Sequence, residues 1–217
     1  MQHLPRCSKT IPGRGARGAS LLEAMVMLSI FTIVIVAVYT VYDAGSAIYA
    51  RGATDMEVQD DGRKAQDVIA RLLRSAGNDP TGAGIFGFRS VTGFTPTATE
   101  RSVLFSLDAN DDGVLDNNST ERVGFALFGS ELRRTMDGVN PVPGLPPLAR
   151  NVRTLRFAYF TAGDAPIPNP AGATYTLTAA QMRAIRRMTV QVTVAADAGS
   201  QGSRVYTLST DVRPRNL

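Results

Sequence analysis

Histidine and cysteine are all but missing from this 217-residue chain: the only His is His3 and the only Cys is Cys7. Everything after residue 7 therefore lacks a His general base, a Cys nucleophile, a disulfide framework, and a zinc site built from Cys or His. Trp is absent, and Lys occurs only as Lys9 and Lys64. With Lys64 alone outside the N-terminal stretch, a Ser–Lys dyad has little to stand on. Carboxylate chemistry and hard-cation binding remain open. A net charge of +4 suggests a basic protein until it is located. Arg6, Lys9, Arg14 and Arg17 stand in the first 18 residues with no acid among them, and the remaining basic residues equal the 19 acidic ones. The excess is wholly N-terminal, the pattern of a targeting segment rather than of a nucleic-acid surface.

What is abundant is apolar length. Residues 24–42 contain no charge, Pro or Gly, and apart from the tyrosines only Ser29, Thr32 and Thr40 interrupt them. As a helix they span about 29 Å, close to the hydrocarbon thickness of a bilayer. Three readings fit such a run. A cleaved secretory signal would use Asp43–Ala47 as its small-residue exit. A plain single-span anchor needs nothing more. The third reading accounts for Glu23, an acid at the mouth of the run, where a carboxylate usually has a partner.

Glu23 is preceded by Arg17-Gly18-Ala19-Ser20-Leu21-Leu22. This resembles the cleavage site of type IV prepilins. The resemblance implies a basic leader over 1–18, cut after Gly18 by an inner-membrane aspartyl prepilin peptidase, with methylation of the new amine at Ala19. Glu23 is then the fifth residue of the mature chain. The family usually starts with Phe or Met, and Ala19 departs from that. When such helices bundle, the buried Glu23 carboxylate needs a cation, and the Ala19 amine of a neighbouring subunit supplies one. That pair would fix axial register, as one buried polar group does in coiled coils.

The helical pattern runs on past the membrane segment. Ala65, Val68, Ile69, Leu72, Leu73 and Ala76 repeat on one face, opposite Arg63, Lys64, Asp67, Arg71 and Arg74. Gly77 and Asn78-Asp79-Pro80 stop it. The expected organisation is a leader over 1–18, a transmembrane or filament-core helix over 19–42, an amphipathic continuation over 43–77, and a globular head over 78–217. The stretch Arg71–Pro80, and more weakly Leu208–Leu217, is similar to PilW-type minor pilins and to the J-type pseudopilin of type II secretion.

Beyond Pro80 the chain reads as strands at Gly84–Thr95, Ser102–Leu107, Arg122–Phe128, Glu131–Met136, Val152–Thr161, Met188–Val194 and Ser203–Val212. Thr178 caps a short helix reaching Arg186, and Asn140–Pro147 and Ala165–Pro170 are loops. The fold class is α+β: a long N-terminal helix packed on an antiparallel sheet.

Three motifs in the head need weighing. Asp108, Asn110 and Asp112, with Gly113, the Val114 carbonyl and Asp116, follow the start of a calcium loop. The twelfth position is Ser119 rather than Glu, and no helix flanks the loop. A metal-free Asx-rich turn is the competing reading. Gly82-x-Gly84-x-x-Gly87 matches a dinucleotide fingerprint but follows a helix instead of a strand, which rejects it. Arg183, Arg186 and Arg187, with Arg133, Arg134, Arg150, Arg153 and Arg156, read as a solvated face before a phosphate-binding one, so no nucleic-acid partner is expected.

The resemblance thus implies a non-enzymatic minor pilin that assembles with other minor and major pilins to initiate or cap a type IV pilus. Its further partners by resemblance are the prepilin peptidase and the inner-membrane assembly platform, and no cofactor is implied apart from Ca²⁺ at the acidic loop. It would sit in a bacterial inner membrane with a periplasmic head, then at a pilus tip. A J-type pseudopilin, and a membrane-anchored calcium-binding surface domain, are the alternatives.

Overall fold

A computed structural model describes residues 20–167, 175–196 and 203–217. Its elements run α1 (Leu21–Arg74), β1 (Thr97–Ala98), β2 (Val103–Ser106), β3 (Arg122–Phe128), β4 (Glu131–Thr135), β5 (Val152–Phe160), α2 (Ala179–Arg183), β6 (Arg187–Ala196) and β7 (Arg204–Val212). Contacts divide the chain into two compact units, Met1–Tyr49 and Ala50–Leu217.

In the second unit, α1 turns Val58, Gly62, Ala65, Gln66, Ile69, Ala70 and Leu73 inward, while Arg63, Lys64, Asp67, Arg71 and Arg74 stay in solvent. The apolar face is therefore the expected one, rotated slightly. Val68 and Leu72 lie at its edge, half-buried, and Gly62, Gln66 and Ala70 are drawn in. Past Arg74 the amides of Ser75 and Ala76 bond back to Leu72 and Leu73, three residues earlier. Gly77 at φ 74° then turns the chain away, and its N–H reaches the Ser106 carbonyl. No side chain fits there, because a Cβ would stand 2.6 Å from the Asn216 carbonyl oxygen.

The head is two antiparallel sheets rather than one. Strands β1–β4 pair in sequence order as a four-stranded meander, and β5–β6–β7 form a three-stranded sheet. The hairpin joining β3 to β4 pairs Phe128 with Glu131 across Gly129-Ser130. One core holds buried side chains from α1 and from both sheets, including Ile69, Leu73, Phe105, Phe125, Phe157 and Val192. Each such side chain stabilises the fold by about 1.5–3 kcal/mol through burial.

Alternation of buried residues appears where one sheet face is covered: β6 alternates half-buried and buried positions along its length. All four residues of β2 are buried, so its sequence SVLFSL does not alternate in burial. The expected strand at Gly84–Thr95 is absent. That stretch makes only isolated bridges, Gly87 to Ser106 and Val91 to Phe94, because Gly84, Gly87 and Gly93 all take positive φ. Its Phe86, Phe88 and Phe94 are nevertheless buried, which is what made the segment read as a strand. Helix α2 stops at Arg183, short of Arg186, since the Arg186 amide bonds to the Phe160 carbonyl. The Thr178 cap is as expected, with a complete capping box to Gln181. Of the loop expected at Ala165–Pro170, Pro168–Pro170 lie outside the described residues.

Candidate functional site: an acid at the head of an apolar helix

Gly18 and Ala19 lie outside the described residues. Helix α1 begins immediately after, with the Ala24 amide bonded to the Ser20 carbonyl. Glu23 is in its first turn and its side chain is exposed. An acid there meets the positive end of the helix dipole, worth about 0.3–1 kcal/mol. This local gain explains an acid near the start of a helix, but not an acid next to an uncharged run.

That run is built to face an apolar medium. Every residue from Leu21 to Tyr42 is exposed, and Glu23 is the only charged one. The hydroxyls do not spoil it. Ser29 donates to the Met25 carbonyl at 2.8 Å, Thr32 to Leu28 at 2.8 Å, and Thr40 to Ala37 at 2.8 Å. The three aliphatic hydroxyls of the run are thus satisfied by their own helix and present no unmet donor to lipid or to a packed neighbour. The helix is long and apolar enough to cross a membrane. Tyr39 and Tyr42, just before Asp43, sit where an interfacial aromatic belt would.

The acidic loop is the other candidate. Asp108 is buried. Its carboxylate accepts the Asp111 amide at 2.6 Å and the Gly113 amide at 3.0 Å. Asn110 Nδ2 donates to Asp112 Oδ2, and Asp112 Oδ1 accepts the Val114 amide. The Asp116 amide is held by Glu121, also buried. Asp111 and Gly113 take positive φ. These are the bonds of nested Asx turns. Among the described residues no three His, Cys, Asp or Glu side chains gather as a metal would need. As folded, the oxygens of Asp108, Asn110 and Asp112 serve backbone and side-chain donors.

The glycine-rich segment is a turn organised by Asp79, which sequence reading passed over. Its carboxylate accepts the Ala83 amide at 2.9 Å and the Gly84 amide at 2.5 Å, and these bonds hold its pKa below the usual carboxylate value. Its place just after the helix end, ahead of Thr-Gly-Ala-Gly, was the available signal. The arginines scatter into separate roles. Arg187 lies 3.8 Å over the Phe160 ring and pairs with Asp164 and Asp211. Arg156 pairs with Glu100, and both Arg133 and Arg150 with Glu131. Arg134 is half-buried against the Ser119 carbonyl, and Arg153 reaches Ser203. Arg183 and Arg186 remain on the surface.

The fold and this helix define an α+β protein whose long N-terminal helix is apolar in its first half and packs on antiparallel sheets in its second. No known family model matches the chain, and no curated protein does. Among solved structures the chain is similar to a type IV-like pilin from Thermus thermophilus, at 14% identity and a TM-score of 0.43, over 73% of this chain and 96% of that one.

Proposed function

We propose that this chain is a minor pilin: it is cleaved after Gly18, inserts residues 19–42 in the inner membrane, and joins other pilins to initiate or cap a type IV pilus. The observation that carries the proposal is Glu23, the one charged side chain on a run that is otherwise uniformly apolar and internally hydrogen-bonded. An anchor or a signal segment has no use for it. A helix destined for a bundle does, because a carboxylate there binds the amine freed at Ala19 of a neighbour and so sets register. The mechanism is assembly without catalysis. The apolar surface holds the subunit in lipid, then transfers into a core of like helices, and the head contacts neighbouring heads. The prepilin peptidase and the assembly platform are its processing and loading partners. Head and helix would then sit at or near a pilus tip.

The test is the intact mass and N-terminal sequence of the chain purified from its own host. A start at Ala19 carrying one methyl group is expected. A start near Ala47, or an uncut chain, overturns the proposal. Deletion of the gene then separates the filament systems: loss of pili is expected, whereas loss of exported enzymes would make the chain a J-type pseudopilin.

A further inference from the structure

The loop leading into β3 reads Asp116-Asn117-Asn118-Ser119-Thr120. Asn118-Ser119-Thr120 fits N-x-S/T, the pattern at which sugars are linked to asparagine in exported proteins. Asn117-Asn118-Ser119 overlaps it and fits the same pattern. Three residues recur by chance in a chain of this length, so the pattern alone decides nothing. The surroundings single out Asn118. Asp116 stands two residues before it, where Asn117 has Leu115. Asn117 and Thr120 are exposed, and Asn118 is half-buried. Asn117 also lines an open cleft of about 410 Å³ with Phe94, Arg122 and Asn140, so a group attached in this loop has free space beside it.

The two ends of the Asn118 side chain are used differently. Its Oδ1 accepts the amides of Thr120 at 3.0 Å and of Glu121 at 2.9 Å, and the Thr120 hydroxyl donates to it at 2.6 Å. Two backbone donors fix which end is oxygen. The Arg122 amide bonds to the Asn118 carbonyl and closes the same turn. Nδ2 takes no part in that turn. Among the described residues its one bond is long, 3.4 Å to Asp116 Oδ2. An amide nitrogen carries two hydrogens. Exchanging one of them for a sugar leaves every bond to Oδ1 in place and keeps a donor for Asp116.

We propose that Asn118 is a site of N-linked glycosylation, with Thr120 and Asp116 as the residues by which an envelope transferase recognises it. The donor is an oligosaccharide carried on a lipid diphosphate. Asn118 Nδ2 forms a bond to the anomeric carbon, and the bond from that carbon to the phosphate oxygen breaks. The lipid diphosphate leaves with the electron pair, and the nitrogen gives one proton to a base of the transferase. Transfer takes place as the exported chain emerges, before the turn closes around Oδ1, and the folded turn then keeps the product. The site does not rest on the minor-pilin reading. With Arg6, Lys9, Arg14 and Arg17 holding the N-terminus in the cytoplasm, a spanning helix puts the head outside whether or not the leader is cut.

The test is mass spectrometry of the full-length chain purified from its own host. Trypsin cuts after Arg101 and Arg122 and releases both asparagines in one peptide, Ser102–Arg122. That peptide is expected to carry the mass of an oligosaccharide, placed on Asn118 by fragmentation that leaves the sugar attached. Thr120→Val keeps the shape of the side chain without its hydroxyl and should lower the modified fraction by about tenfold or more, whereas Thr120→Ser should keep it. Asp116→Asn leaves the Arg122 bond to the Asp116 carbonyl in place and should lower the fraction several-fold. Thermal unfolding of the variants separates lost recognition from lost folding. An unmodified peptide in the parent chain, a sugar on Asn117, Ser119 or Thr120 instead, or a fraction unchanged in Thr120→Val would overturn the proposal. The start of the chain is read from a different peptide, so this site and the minor-pilin reading fail separately.

Discussion

A Cβ placed on Gly62 would stand 2.7 Å from Leu208 Cδ1, closer than packed carbons come. Gly62 is buried on the inner face of α1, and Leu208 lies on β7, opposite Val192 of β6. The glycine is what lets the helix lie this close to the three-stranded sheet. Two effects oppose each other on substitution. Alanine gains about 1 kcal/mol of helix propensity over glycine, while the leucine tip must move. Gly62→Ala should be close to neutral, because one rotatable side chain absorbs the crowding. Gly62→Leu should cost about 1–3 kcal/mol by overpacking, and Leu208→Ala added to it should recover part of the loss. Thermal unfolding of the three variants checks the order. Gly52, with nothing within 4 Å of its Cβ position, is the control: Gly52→Ala should stabilise by about 0.5–1 kcal/mol.

The acidic loop should behave as a folded turn rather than as a metal site. Asp108 is buried and holds two backbone amides. Removing the carboxylate leaves those donors unmet, at about 1–3 kcal/mol. Asp108→Ala should lower the unfolding temperature by the same amount with calcium or with a chelator. A midpoint that rises with millimolar calcium in the parent chain and not in the variant would instead restore the loop as a cation site.

Two carboxyl groups should respond to pH in opposite senses. Asp137 accepts the amides of Val139 and Asn140 and the Asn140 side chain, which hold its pKa well below the usual value. Its contribution is present above the unfolded pKa near 3.9 and is lost as pH falls below it. Asp137→Asn should therefore be destabilising at neutral pH and harmless in strong acid. Burial pushes the Glu121 carboxyl up, opposed by the bond from the Asp116 amide and reinforced by the charges of Asp116, Asp112 and Asp108. A raised group favours folding fully below its unfolded pKa, near 4.3, and that stability is lost as pH rises through the folded value. Glu121→Gln keeps an acceptor for the Asp116 amide and removes the charge. It should stabilise the chain at neutral pH and make no difference below about pH 4. Denaturation curves from strong acid up to about pH 8 read both.

These cases show where sequence reading works. Strands β3, β4, β5 and β7 end within a residue of the expected positions, because Gly129-Ser130 and the alternation of Leu155, Phe157 and Tyr159 are local signals. The division into two sheets was not legible, since nothing local states that β4 pairs onward with no later strand. Phe86, Phe88 and Phe94 misled for a related reason: burial and strand pairing are separate properties, and glycine φ angles decided between them. The apolar helix was fully legible, being a property of composition along one element.

Glu23 yields the sharpest expectation. Its side chain is exposed in the single chain and touches no partner among the described residues, so its removal should leave folding and membrane insertion alone. Glu23→Ala should still be cleaved after Gly18 and should still fractionate with membranes. If the carboxylate binds the Ala19 amine of a neighbour, the same variant should drop out of sheared filaments by at least tenfold, the ratio that about 1.4 kcal/mol of lost contact implies. Glu23→Gln separates charge from shape: it keeps the size and an acceptor oxygen but cannot pair with a cation, so it should fail like alanine. Glu23→Asp keeps the charge and should retain part of the activity. Full incorporation of the glutamine variant would mean that Glu23 serves only the first turn of its own helix, where an uncharged group costs no more than the dipole interaction, about 0.3–1 kcal/mol.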